Sequence, residues 1–189
     1  MKQSILLIAL ILILFNSCSA QESDLNNYNI SLSEIIDSLG INKNTLSILI
    51  DKSDAKLSVL NDDSTIKEYP VVFGRNTTDD KLMQGDKCTP EGKFHIIAKY
   101  PHKKWSKFIW INYPNNESWK KHNAAKKDGL IPANAKIGGE VGIHGVPEGM
   151  DFLIDIGYNW TLGCISLKNN DINEIYPFIT KNTIIEIRL

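Results

Sequence analysis

Apolar and polar residues alternate in short bursts along most of this chain. Thr45–Ile50 and Lys56–Leu60 place apolar side chains at every second position and flank the turn-rich stretch Asp51–Ala55, which predicts an antiparallel hairpin. Tyr69–Gly74, Phe94–Tyr100, Trp105–Tyr113 and Thr183–Leu189 read as further strands, the last on its β-branched alternation. Two shorter apolar runs, Val141–Ile143 and Ile165–Leu167, have the same character. Helical spacing occurs in two places. Leu32, Ile35, Ile36 and Leu39 follow Ser31 and Glu34, which stand at capping-box separation, and Gly40 suits a helix end, so a helix is expected over Ile30–Leu39. Ile172, Ile175 and Tyr176 follow the cap-like cluster Asn169–Asn170–Asp171 and precede Pro177, which should end that helix. Many short strands with few helices predict a mostly β fold, a β-rich sandwich-like domain with a few short helices over residues 45–189.

The first twenty residues follow a different pattern. One lysine precedes an unbroken apolar run, Ile5–Phe15, shorter than the roughly 18 residues a membrane span needs, so Met1–Ala20 reads as a signal peptide. Phe15–Asn16–Ser17–Cys18 is similar to a bacterial lipobox, in which Cys18 becomes the lipidated first residue. Cleavage after Ala20 is the alternative. Either reading exports the chain to the cell envelope or periplasm, and the first adds a membrane contact through an N-terminal lipid anchor. Gln21–Asn29 is polar and reads as a tether, so residues 21–44 are expected to be a spacer and a short helix.

Composition narrows the partners. The formal net charge is −1, without the basic excess that a phosphate-binding surface requires, so no nucleic-acid partner is expected. Lysines cluster at Lys103, Lys104 and Lys107 and at Lys120, Lys121, Lys126 and Lys127, either as a solvated face or as contacts for carboxylates. His95, His102, His122 and His144 lack ligand spacing, so no metal and no cofactor are expected. In an oxidising compartment Cys88 is either a buried inert thiol or a disulfide partner of Cys164.

The candidate chemistry lies in Val141–Leu167. His144 ends an apolar run and is followed by Gly145, and Cys164 sits between Thr161–Leu162–Gly163 and Ile165–Ser166–Leu167. The long segment Val146–Trp160 between them has the length of a functional loop, and Tyr158 and Trp160 are either site-lining or core aromatics. A thiolate is a nucleophile and an imidazole can take the thiol proton, while amides at Leu162, Gly163 and Cys164 could face an oxyanion. By themselves these residues do not separate a nucleophile from a small buried cysteine.

His144–Gly145 and, with sixteen residues between His144 and Thr161, the run Thr161–Leu162–Gly163–Cys164–Ile165 resemble the signature of the L,D-transpeptidase (YkuD-like) catalytic domain. Gly85–Ile96, with Thr89–Pro90–Glu91–Gly92 at its centre, resembles that family's upstream strand motif, and Asn159–Trp160 and Tyr113–Pro114–Asn115 are similar to its murein-amidase branch. The resemblance implies Cys164 as nucleophile, His144 as general base and acid, and the Gly145 carbonyl as the group orienting His144. It also implies peptidoglycan stem peptides as substrate through a thioester, with transfer to an amine or hydrolysis as alternatives. Leu162 replaces the signature's second histidine and Ser166 its arginine or asparagine. These departures keep a third alternative open, an inactive wall-binding lipoprotein.

Overall fold

A computed structural model describes residues 25–189; the signal-peptide and lipobox readings at Met1–Ala20 and Cys18 lie outside the described residues. Among the described residues eight strands form one sheet: β1 (Leu46–Asp51), β2 (Lys56–Asn61), β3 (Ser64–Pro70), β4 (Gly92–His102), β5 (Ser106–Ile111), β6 (Gly142–His144), β7 (Ile165–Ser166) and β8 (Ile184–Arg188). Their order is β3-β2-β1-β8-β4-β5-β6-β7. The expected hairpin is β1–β2, paired from Leu46↔Asn61 to Asp51↔Lys56. β1 also runs parallel to β8, and β6 runs parallel to β7.

β4 gives the sheet its two halves. Gly92–His95 pairs with β8, Ile96–His102 pairs with β5, and the register shifts between Ile96 and Ala98. A register irregularity bends a strand, and both halves contribute side chains to one core. That core joins Ile48, Val59 and Ile185 from one half to Ile109, Ile143 and Ile165 from the other. Each such aliphatic side chain contributes roughly 1.5–3 kcal/mol when fully buried. The mostly β fold class expected from the sequence is found.

Helix α1 (Leu32–Leu39) begins at the expected capping box. The Ser31 hydroxyl accepts from the Glu34 N–H, Glu34 accepts the Ser31 N–H, and Gly40 closes the helix in the left-handed conformation. Its Leu32, Ile35 and Ile36 enter the main core. Of the expected tether, Gln21–Asn29, residues 21–24 lie outside the described residues and the remainder packs on the domain. Leu25 is buried, Asn26 exchanges hydrogen bonds with Glu68, and Lys67 Nζ, 2 % exposed, donates to the Tyr28 and Ile30 carbonyls. Leu25–Asn29 is thus held on β3 by its backbone groups and by the Asn26 and Asn27 side-chain amides, which donate to the Thr65 and Ile66 carbonyls.

Four further differences concern elements around the site. Tyr69–Gly74 is not one strand: β3 ends at Pro70, which lacks an N–H, and the chain continues through single bridges at Val72↔Ser166 and Gly74↔Thr161. Helix α4 (Asn169–Ile175) starts at Asn169, so the Asn–Asn–Asp cluster is its first turn; the Asn169 N–H is capped from a distance by Asp151 Oδ1 at 2.7 Å. Helix α2 (Asn116–Lys127) had no apolar periodicity to reveal it, and a short α3 (Phe152–Asp155) interrupts the long loop. No helix among the described residues is long and apolar enough to cross a membrane.

Candidate active site

The parallel pair β6–β7 brings the two candidate residues together. Ile143 pairs with Ile165 and His144 with Ser166, so Cys164 falls level with Gly142 on a strand roughly 4.8 Å away. The Leu167 N–H donates to the His144 carbonyl at 2.9 Å and locks this register. His144 and Cys164 line the same cavity of about 560 Å³.

His144 is 1 % exposed and held from three directions. Its Nδ1 lies 2.6 Å from the Gly145 carbonyl, which can only accept, so Nδ1 carries the proton and Nε2 keeps the free lone pair. The same carbonyl accepts the Ser166 hydroxyl at 3.3 Å. Trp105 stacks on the imidazole with centroids 4.4 Å apart, Phe108 lies parallel at 5.8 Å, and Trp160 meets it edge-on at 5.6 Å. Burial drives the His144 pKa down to about 4, against the hydrogen bond to Gly145 and with a smaller push from His102. A side chain at position 145 would meet Asn169 Oδ1 at 2.2 Å and the Trp105 carbonyl at 2.8 Å. Close approach, rather than a turn, is what glycine serves there.

Cys164 is partly exposed, and its thiol points at the Glu140 carbonyl 3.6 Å away. Burial pushes the thiol up to about 11, opposed by the Gly142 N–H and by Lys81. Burial thus favours the uncharged form of both groups, the neutral thiol and the neutral imidazole. The turn before Cys164 is held by Thr161, whose hydroxyl donates to the Cys164 carbonyl at 2.7 Å and accepts the Gly163 N–H at 3.1 Å. That bond removes the Gly163 amide from the expected trio of oxyanion donors and leaves Leu162 and Cys164. Gly163 has φ +140°, and a Cβ there would stand 2.7 Å from the Cys88 carbonyl, so position 163 excludes side chains on two grounds. Leu162 is 70 % exposed at the cavity rim. Replacing a histidine there changes the side chain and keeps the amide.

Sequence reasoning missed Trp105 and Lys81. Lys81 is 5 % exposed in the cavity wall and pairs with Asp86 at 2.7 Å. Burial works against the Asp86 charge, yet Lys81 and the Met83 and Cys88 amides hold its pKa below the ordinary range. The only signal for either residue was its position within a polar run. Trp160 lines the cavity as expected, whereas Tyr158 is 52 % exposed and lies outside both the cavity and the core. Val146 and Ile154 of the long loop pack on Val72 in a small second core. Cys88 and Cys164 are free thiols, and the buried Cys88 Sγ donates to the Asp86 carbonyl at 3.4 Å.

The L,D-transpeptidase catalytic domain (YkuD) family profile matches residues 46–187, which spans β1 to β8 and every group just described. The chain belongs to that family. Among solved structures it is similar to Bd1075 of Bdellovibrio bacteriovorus, with 22 % identity over 76 % of this chain and 48 % of that one and a TM-score of 0.53. It is also similar to the helical cell shape determining protein Pgp2 of Campylobacter jejuni, with 20 % identity, 82 % and 54 % coverage and a TM-score of 0.55. For an L,D-transpeptidase from Mycobacterium smegmatis the values are 15 %, 77 %, 59 % and 0.50. This chain therefore spans about half to three-fifths of the solved chains it matches. No curated protein matches it.

Proposed function

We propose that the protein is a cysteine acyltransferase of the cell envelope that modifies peptidoglycan stem peptides. The observation that carries this reading is the His144 setting, a neutral imidazole with Nδ1–H fixed on Gly145 and Nε2 free, in the cavity that also holds Cys164. In the reaction Cys164 Sγ attacks the peptide carbonyl while its proton passes to His144 Nε2. The amides of Leu162 and Cys164 take up the charge developing on the carbonyl oxygen. The C–N bond breaks, the leaving amine receives the proton from His144, and a thioester remains on Cys164. An incoming amine then attacks the thioester, gives its proton to His144, and releases the thiolate, which is reprotonated.

Burial favours the uncharged form of both groups, which supports proton transfer from Cys164 to His144 in step with the attack. The N-terminal pattern supports export, with Cys18 as the lipid attachment point. The test is to incubate the purified protein with tetrapeptide muropeptides beside Cys164→Ala and analyse the products by mass spectrometry. Cross-linked dimers or exchanged terminal residues that vanish in the variant would support transfer. Shortened peptides alone would move the reading to hydrolysis, and no reaction in folded, reduced protein would move it to a binding module.

A further inference from the structure

Helix α2, Gln84 and the segment leading into β6 line a second, open cavity of about 450 Å³. Its wall carries two ammonium groups, Lys126 from the last turn of α2 and Lys136 from the segment before β6, and no carboxylate among the described residues. The contrast with the preceding turn of the same helix is informative. Lys120 pairs with Glu117 and Lys121 with Asp80, while Lys126 and Lys136 have no ion-pair partner among the described residues. In a chain of net charge −1, two unneutralised cations facing one cavity make a local field that attracts anions.

The surface between them is braced. His122 is 1 % exposed, its Nδ1–H donates to the Leu82 carbonyl at 2.6 Å, and its ring meets Trp119 edge-on at 5.7 Å. Trp119 remains 46 % exposed against this fixed neighbour, so an indole surface is held open beside the lysines without a ligand having to order it. Ile137 supplies an apolar floor.

This cavity adjoins the one at Cys164. Gln84 and Gly138 line both, and the Gln84 N–H donates to the Lys136 carbonyl at 2.7 Å, which fixes their common wall. From Lys136 the chain runs to Glu140, whose carbonyl faces the Cys164 thiol. Four residues of extended chain span at most about 14 Å, the reach of a peptide of about four residues.

We propose that this second cavity binds the free carboxylates of an acidic peptide whose reacting carbonyl lies at Cys164, with Lys126 and Lys136 taking the carboxylates and Trp119 packing on the peptide. The identity of that peptide rests on the reading above, but binding requires no chemistry at the thiol. The test titrates Cys164→Ala with a synthetic acidic tetrapeptide and with the same peptide amidated at its carboxylates, by calorimetry. It repeats both titrations in Lys126→Glu/Lys136→Glu and in Trp119→Ala, with iodoacetamide labelling of Cys164 in the parent background as a check on the fold.

The acidic peptide is expected to bind about tenfold more tightly than the amidated one, and charge reversal should abolish that difference. Equal affinity for the two peptides, or affinity untouched by charge reversal, would overturn the inference while muropeptide turnover would keep the enzyme reading. Lysine-dependent binding without turnover would do the opposite.

Discussion

Trp105→Ala tests the mechanism at the group that sets it. Trp105 covers one face of His144 at 4.4 Å, and burial is the main reason the imidazole sits at about 4 instead of 6.5. That difference corresponds to about 3 kcal/mol against the imidazolium, at 1.36 kcal/mol per pH unit. Opening one face to water while Phe108 and Trp160 stay in place should return about half of it, moving His144 to between about 5 and 6. The sign follows from the role. A base must be unprotonated to accept the thiol proton, so the acid limb of kcat/KM should move up with the imidazole, from about pH 4 to about pH 5–6. Nitrogen-15 NMR of the imidazole gives the same value independently of turnover and reports the Nδ1–H tautomer. A His144 titrating near 6.5 in the parent protein, or unmoved in Trp105→Ala, would refute the reasoning.

Two other perturbations address the turn and the pH dependence of stability. Gly163→Ala forces a Cβ against the Cys88 carbonyl at a φ of +140°, and it should cost about 1–3 kcal/mol in thermal unfolding and remove turnover; a variant with parent stability and rate would contradict the packing argument. Asp171, 6 % exposed and bonded to the Tyr28 hydroxyl, is pushed by burial up to about 7. Its folded value lies above the ordinary 3.8, so its contribution to stability grows as pH falls from about 7 to 3.8. His144 does the reverse, since its folded value lies below 6.5, and its contribution is lost as pH falls from 6.5 to about 4. The two oppose each other in the parent. Asp171→Asn should therefore uncover a loss of about 3 kcal/mol between pH 6.5 and 4 in urea titrations, and an unchanged pH dependence would sink this assignment.

What the sequence revealed depended on whether the determining interaction was local. The β1–β2 hairpin and the Ser31–Glu34 cap are contacts between near neighbours, and both are readable as spacing. His144, Gly145, Gly163 and Cys164, which the fold brings together, were readable as candidates because they fall within one stretch of the chain. Helix α2 was not, since it buries only Ser118, His122 and Ala125 and its cap uses Asn115 with Ser118 in place of a glutamate. Trp105 matters through a ring stacked on a residue 39 positions later, a relation that no window along the chain displays. The Gly163 amide was misjudged for a similar reason. Its proximity to Cys164 was visible, but its commitment to the Thr161 hydroxyl depends on the fold of the turn.

In the proposed reaction Cys164 carries the acyl group of a stem peptide. Intact-protein mass spectrometry after brief mixing with a tetrapeptide muropeptide, followed by peptide mapping, tests it most directly. The expected result is a mass increase equal to the acyl fragment, located on Cys164, released by hydroxylamine as a thioester must be, and absent in Cys164→Ala. An adduct that persists in Cys164→Ala, or none at all in folded and reduced protein at neutral pH, would contradict it.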